Sequence, residues 1–113
     1  MSPNAPSADA LLARIDEKAC LDFLAAMVRH KSYSETPGER ALATFMVQRM
    51  RELGLEAALQ PISGQGVVGD RVNAIGTWKG IGGGKSLLFN GHLDTNPVTE
   101  GWTVDPWGGK IDD

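Results

Sequence analysis

The sequence predicts an α/β fold, with helices packed on a mixed sheet. Three observations predict it. Of the 14 glycines only Gly38 and Gly54 precede residue 60, so the first half reads as helical and the second as strands joined by turns. Apolar residues in the first half recur at helical spacing. In the second half the run Leu87-Leu88-Phe89 is continuously apolar, as a central strand covered on both faces would be. Helices followed by such a strand make an α/β layer structure.

Each element has its own signal. Residues 1–8 read as a flexible N-terminus and residues 9–113 as one domain, as suits a chain of 113 residues. Residues 8–29 suit one helix or two short ones, with Leu21, Leu24, Ala25 and Val28 forming an apolar face. A second helical stretch opens at Thr36, an N-cap residue, with Pro37 at the first helical position and Glu39 three after the cap. That pattern predicts a capping box. Leu42, Phe45, Met46, Met50 and Leu53 carry the periodicity on, Arg49 and Arg51 lie near the negative end of the dipole, and Gly54 stands where a left-handed cap is wanted. Strands are expected over residues 55–59, with Leu55, Ala57 and Leu59 on one face, then over 71–78 and 86–89.

Composition narrows the function classes. Hydrophobic residues make up 42% and charged residues 22% of the chain, which does not suit a disordered segment. The net charge of −3 supplies no basic surplus to neutralise phosphates, so no nucleic-acid partner is expected. The first residues carry no basic stretch and no long apolar run, so they do not read as a signal peptide. The longest apolar run, residues 23–28, is far too short to span a bilayer. No membrane partner is expected, and the localisation expected is cytoplasmic. The single cysteine, Cys20, excludes an internal disulfide framework and a cysteine-rich zinc site; on a helix it reads as a small packed apolar group.

Two glycine-rich stretches fail as nucleotide motifs. A phosphate loop ending in Gly84-Lys85-Ser86 would need glycine at the position of Lys79. Gly64-Gln65-Gly66-Val67-Val68-Gly69 has dinucleotide-binding spacing, but Asp70-Arg71-Val72-Asn73 leads into a strand, whereas that fingerprint needs a helix N-terminus for the pyrophosphate. Both read as loops. His30, at a helix end beside Lys31, reads as a capping or solvated group.

The segment Asn90-Gly91-His92-Leu93-Asp94-Thr95 follows the best apolar strand. Open α/β sheets place their active sites beyond the C-terminal ends of strands. His92 and Asp94 are two apart, so an extended backbone through Leu93 turns both side chains to one side. A neutral imidazole can then bind a zinc-like ion while the carboxylate holds the ring and raises its basicity. The competing reading is a hairpin turn at Asn90-Gly91; Thr95-Asn96-Pro97 does not read as a returning strand.

The segment from Gly91 to Val98, followed by Gly101-Trp102-Thr103-Val104-Asp105-Pro106-Trp107-Gly108-Gly109, resembles the M20 family of zinc peptidases and deacylases, which includes acetylornithine deacetylase and succinyl-diaminopimelate desuccinylase. The order of elements from about residue 10 onward is similar to that family's N-terminal portion. The resemblance implies the N-terminal part of a zinc-exopeptidase-like αβα domain, with residues 9–113 an incomplete metallohydrolase catalytic domain. It implies that His92 is a metal ligand and that Asp94 is the catalytic carboxylate that orients and polarises it. It implies two zinc ions per complete site, with cobalt a possible substitute. The substrate class implied is a small-molecule N-acyl amino acid or peptide, attacked at an amide by metal-activated water, and the full-length form is implied to be a homodimer. Trp102, Asp105, Pro106 and Trp107 match a segment that closes over the site region; packing is the expected role of both tryptophans. Asn96 departs from the apolar residue most members carry there.

The family's bridging aspartate, general-base glutamate, other carboxylate ligands and last histidine have no counterpart among these residues. A catalytic zinc normally takes three protein ligands and a water. The first expectation is therefore a fragment of such a hydrolase, from a truncated gene model, a frameshift or a cloning boundary, inactive as 113 residues. The second is a non-catalytic remnant or interaction module, whose open sheet edges would favour pairing.

Overall fold

The computed structural model describes residues 5–112. It is a small α/β domain of three helices and a two-stranded antiparallel sheet. Of the expected flexible N-terminus, residues 1–4 lie outside the described residues. Ser7 caps a short helix, α1 (Ala8–Leu12), its hydroxyl accepting the Ala10 N–H at 3.2 Å. The second helix, α2 (Glu17–Val28), starts at Asp16, whose carboxylate accepts the Ala19 N–H at 2.9 Å and so meets one of the donors left free in the first turn. The stretch expected as one helix or two is thus two.

Helix α3 (Pro37–Glu52) begins at Thr36 with Pro37 in its first turn. The capping box expected there does not form. Thr36 turns its hydroxyl back to donate to the Tyr33 carbonyl at 2.7 Å. Glu39 reaches past Thr36 to accept the Glu35 N–H at 2.8 Å, and its other oxygen takes both Arg71 Nε and a terminal Arg71 nitrogen, at 3.0 and 2.7 Å. A partner from 32 residues away therefore competes with the local cap. At the other end Gly54 adopts φ +90°. Its N–H bonds to the Arg51 carbonyl and the Leu55 N–H to that of Met50, both at 2.9 Å. These paired bonds are the left-handed helix ending that favours glycine.

The chain then forms a hairpin of β1 (Glu56–Pro61) and β2 (Val72–Thr77), in register from Glu56 opposite Thr77 to Pro61 opposite Val72. Ala57 and Leu59 on β1, and Val72, Ala74 and Gly76 on β2, face inward. Helix α3 lies on that face, burying Leu42, Ala43 and Val47, which with Val72 and Ala25 of α2 form the core. Stacking of Phe23 on Phe45 at 5.7 Å joins α2 to α3. The opposite face of the hairpin, with Ala58 and Ile75, is exposed.

Three expectations need correction. The sheet is antiparallel rather than mixed. Residues 86–89 form no strand, and Leu87, Leu88 and Phe89 are 79%, 86% and 86% exposed. A strand apolar on both faces exists only through neighbours at its edges and covers on its faces, and no described element lies beside this one. Cys20 is exposed rather than packed. Both glycine-rich stretches are loops, as expected, and β2 rather than a helix follows residues 64–69. Among the described residues no helix is long and apolar enough to cross a membrane.

Candidate functional site

The site is built where the α2–α3 connection meets residues 92–95. Ser32 is 3% exposed, the one buried polar side chain among the described residues. Its hydroxyl donates to the Leu93 carbonyl at 2.7 Å, and its own carbonyl accepts the Thr95 N–H at 2.8 Å. The Ser34 N–H adds a bond to the Thr95 carbonyl at 3.2 Å, and Tyr33 pairs with Thr95 as a parallel bridge. In an extended chain the carbonyl of one residue and the N–H of the residue two later lie on the same edge. One residue grips both Leu93 and Thr95, so the backbone is extended through Asp94.

That conformation brings His92 and Asp94 together. Nδ1 of His92 is 3.1 Å from Asp94 Oδ1 and 2.9 Å from the Asp94 carbonyl oxygen. Both oxygens are acceptors, so in the neutral ring Nδ1 carries the proton and Nε2 keeps its lone pair. The His92 side chain is 84% exposed and that of Asp94 39%. A carboxylate behind an exposed imidazole nitrogen is an arrangement that orients metal-binding histidines. It offers one nitrogen, however. Among the described residues no group of three or more His, Cys, Asp or Glu side chains stands together as a metal site would require. The residues fit one corner of a zinc site and do not make up a closed set.

Two features support this corner. Gly38, in the first turn of α3, lies against the α2–α3 connection; a Cβ there would collide with the Lys31 carbonyl oxygen and sit 2.8 Å from that of His30. Tyr33 meets Trp107 edge to face at 4.9 Å. Arg29 donates to the Gly108 carbonyl at 3.1 Å, and Asp105 turns the segment by accepting the Trp107 N–H at 3.0 Å. Trp107 therefore packs, as expected. Trp102, also expected to pack, is instead 57% exposed and borders an open groove of about 370 Å³ with Leu21, Leu24, Val28, Val104 and Ile111.

The charges nearby are arranged around Arg71. Its guanidinium is held protonated above the usual range, first by its hydrogen bonds to Glu39, then by the Glu39 charge and more weakly by those of Glu35 and Asp94. His30 stands apart. Its Nδ1–H donates to the Ala26 carbonyl at 2.9 Å and its ring rests on Phe45 at 4.7 Å, which makes it a cap of α2. Residue-level reading of the sequence found His92 and Asp94 through their spacing. It missed Ser32, for which a lone serine in a loop gives no signal, and Arg71. No family model matches the chain, and no solved structure matches it.

Proposed function

We propose that these residues form the part of a zinc-dependent amide hydrolase that supplies one metal-binding histidine. The observation that carries the reading is His92 with Nδ1 against Asp94 and Nε2 free at the surface. In this reading His92 holds the ion through Nε2, and Asp94 fixes the ring's tautomer and raises its basicity. Bound zinc would act as a Lewis acid and lower the pKa of a water near neutrality. The resemblance to zinc peptidases and deacylases supports the reaction class, hydrolysis of N-acyl amino acids or small peptides; the site geometry carries no substrate information. The further ligands and the general base are not supplied by these residues, so the 113-residue chain is inactive alone and binds zinc weakly.

The test uses the complete hydrolase that contains this segment, with N-acetyl amino acids as substrates. His92→Ala is expected to abolish turnover and lower the metal content. Retained turnover with normal metal content would overturn the reading.

A second reading, an interaction module, is favoured by exposed Leu87, Leu88 and Phe89, since a patch of this kind marks an association site. It is supported if the purified chain is a stable dimer or complex with no zinc bound at His92.

A further inference from the structure

We infer that Ser32 is the positioning residue of the His92–Asp94 pair, through hydrogen bonds to the residues on either side of Asp94. The inference rests on the metal-ligand reading of His92 and goes beyond it, to a residue on another part of the chain.

The geometry is specific. The Ser32 hydroxyl reaches the Leu93 carbonyl at 2.7 Å, and the Ser32 carbonyl takes the Thr95 N–H at 2.8 Å. These two bonds bracket Asp94, so they set its backbone torsions and the direction of its side chain. Only with Asp94 so directed does Oδ1 come within 3.1 Å of His92 Nδ1. The pair itself is exposed, where a lone carboxylate–imidazole contact is weak and mobile. The order must come from behind it, and the side chain behind it is buried.

Ser32 is itself held. Lys31 takes φ +50°, and the Tyr33 N–H bonds to the Lys31 carbonyl at 2.8 Å. Gly38 closes on the Lys31 carbonyl from the first turn of α3, and Trp107 packs on Tyr33. Ser32 thus transmits the fixed relation of α2 and α3 to a segment with no sheet partner beyond the Thr95 bridge among the described residues.

The experiment uses the full 113-residue chain labelled with ¹⁵N. Long-range ¹H–¹⁵N correlations report which nitrogen of His92 is protonated, amide exchange reports the Thr95 bond, and zinc chloride is the metal probe. Wild type is expected to show the Nδ1–H tautomer, a protected Thr95 amide and a zinc-induced shift at Nε2. Ser32→Ala is expected to mix the tautomers, speed Thr95 exchange and weaken zinc binding roughly tenfold. Ser32→Thr, which keeps the hydroxyl, is expected to restore the wild-type tautomer. If Ser32→Ala loses its helical circular dichroism, Ser32→Cys replaces it with the same expected outcome. A folded variant lacking the hydroxyl, with the wild-type tautomer and zinc affinity, overturns the positioning role and leaves the metal reading standing. Zinc in large excess leaving wild-type His92 unshifted overturns the metal reading, and the role given to Ser32 with it.

Discussion

Nδ1 of His92 faces two oxygens of one residue, the carboxylate of Asp94 at 3.1 Å and its carbonyl at 2.9 Å. The ring is thereby presented with Nε2 outward. Removing the carboxylate should change how well that nitrogen binds a cation. Asp94→Ala is expected to weaken zinc binding at His92 by about 10–100-fold, the range seen when a carboxylate behind a ligating histidine is lost. Zinc titration followed at the His92 resonances measures this; an unchanged affinity would remove Asp94 from the orienting role.

Gly38 gives a prediction of opposite sign to helix propensity. Alanine at an exposed helical position is favoured over glycine by about 1 kcal/mol. Here the added methyl would meet the Lys31 and His30 carbonyls. Overpacking of that kind costs about 1–3 kcal/mol. Gly38→Ala is therefore expected to lower stability in urea unfolding and to speed Thr95 amide exchange, because the connection holding Ser32 is pushed away. A stabilised variant would contradict the close approach.

Two leucines separate the core from the exposed apolar segment. Leu42 is 2% exposed and Leu88 86%. Leu42→Ala is expected to cost about 2–5 kcal/mol through lost burial and a cavity. Leu88→Ser should stay within about 0.5 kcal/mol of wild type and reduce self-association in sedimentation. Equal destabilisation by both would mean that residues 86–89 are packed in solution.

Arg71 sets an expectation for pH. Its folded-state pKa is raised by Glu39 first, then by Glu35 and Asp94. A raised pKa contributes stability that is fully present below the ordinary value for arginine and is lost only as pH climbs through the raised one. Between about pH 6 and about pH 9 the stability difference between wild type and Arg71→Gln should therefore be constant. Chemical denaturation at the two ends of that range tests it. A difference that grows or shrinks across the range would assign the effect to another group.

Local chemistry made much of the helical half legible. The Pro37 start of α3 and the left-handed Gly54 ending were readable because each depends on residues within a turn or two. The apolar face expected on α2 was only partly so: Ala25 is buried, but Leu21 and Leu24 are 40% and 54% exposed. The first strand was readable from its alternation, with Leu55, Ala57 and Leu59 on one side as expected; its antiparallel pairing with β2 was not. The capping box failed because Thr36 turns its hydroxyl to the Tyr33 carbonyl and Glu39 divides its oxygens between the Glu35 N–H and Arg71, the last a partner no local pattern reveals. The third strand failed because Leu87-Leu88-Phe89 shows only an apolar run, and pairing needs a neighbour. Within the site, the two-residue spacing of His92 and Asp94 was enough to pair them once the backbone was extended. What extends it, Ser32, lies 61 residues from Leu93, and sequence offers no means of linking them.

In the proposed reading His92 is presented to a metal through Nε2. The most direct measurement is the response of both histidines of the ¹⁵N-labelled chain to zinc, with His30 as internal control, because its ring packs on Phe45 and, among the described residues, no carboxylate pairs with it. The His92 Nε2 resonance is expected to shift with zinc, its Nδ1 to remain protonated, and His30 not to move. A His92 signal that stays unshifted, or that moves only in parallel with His30, would contradict the reading.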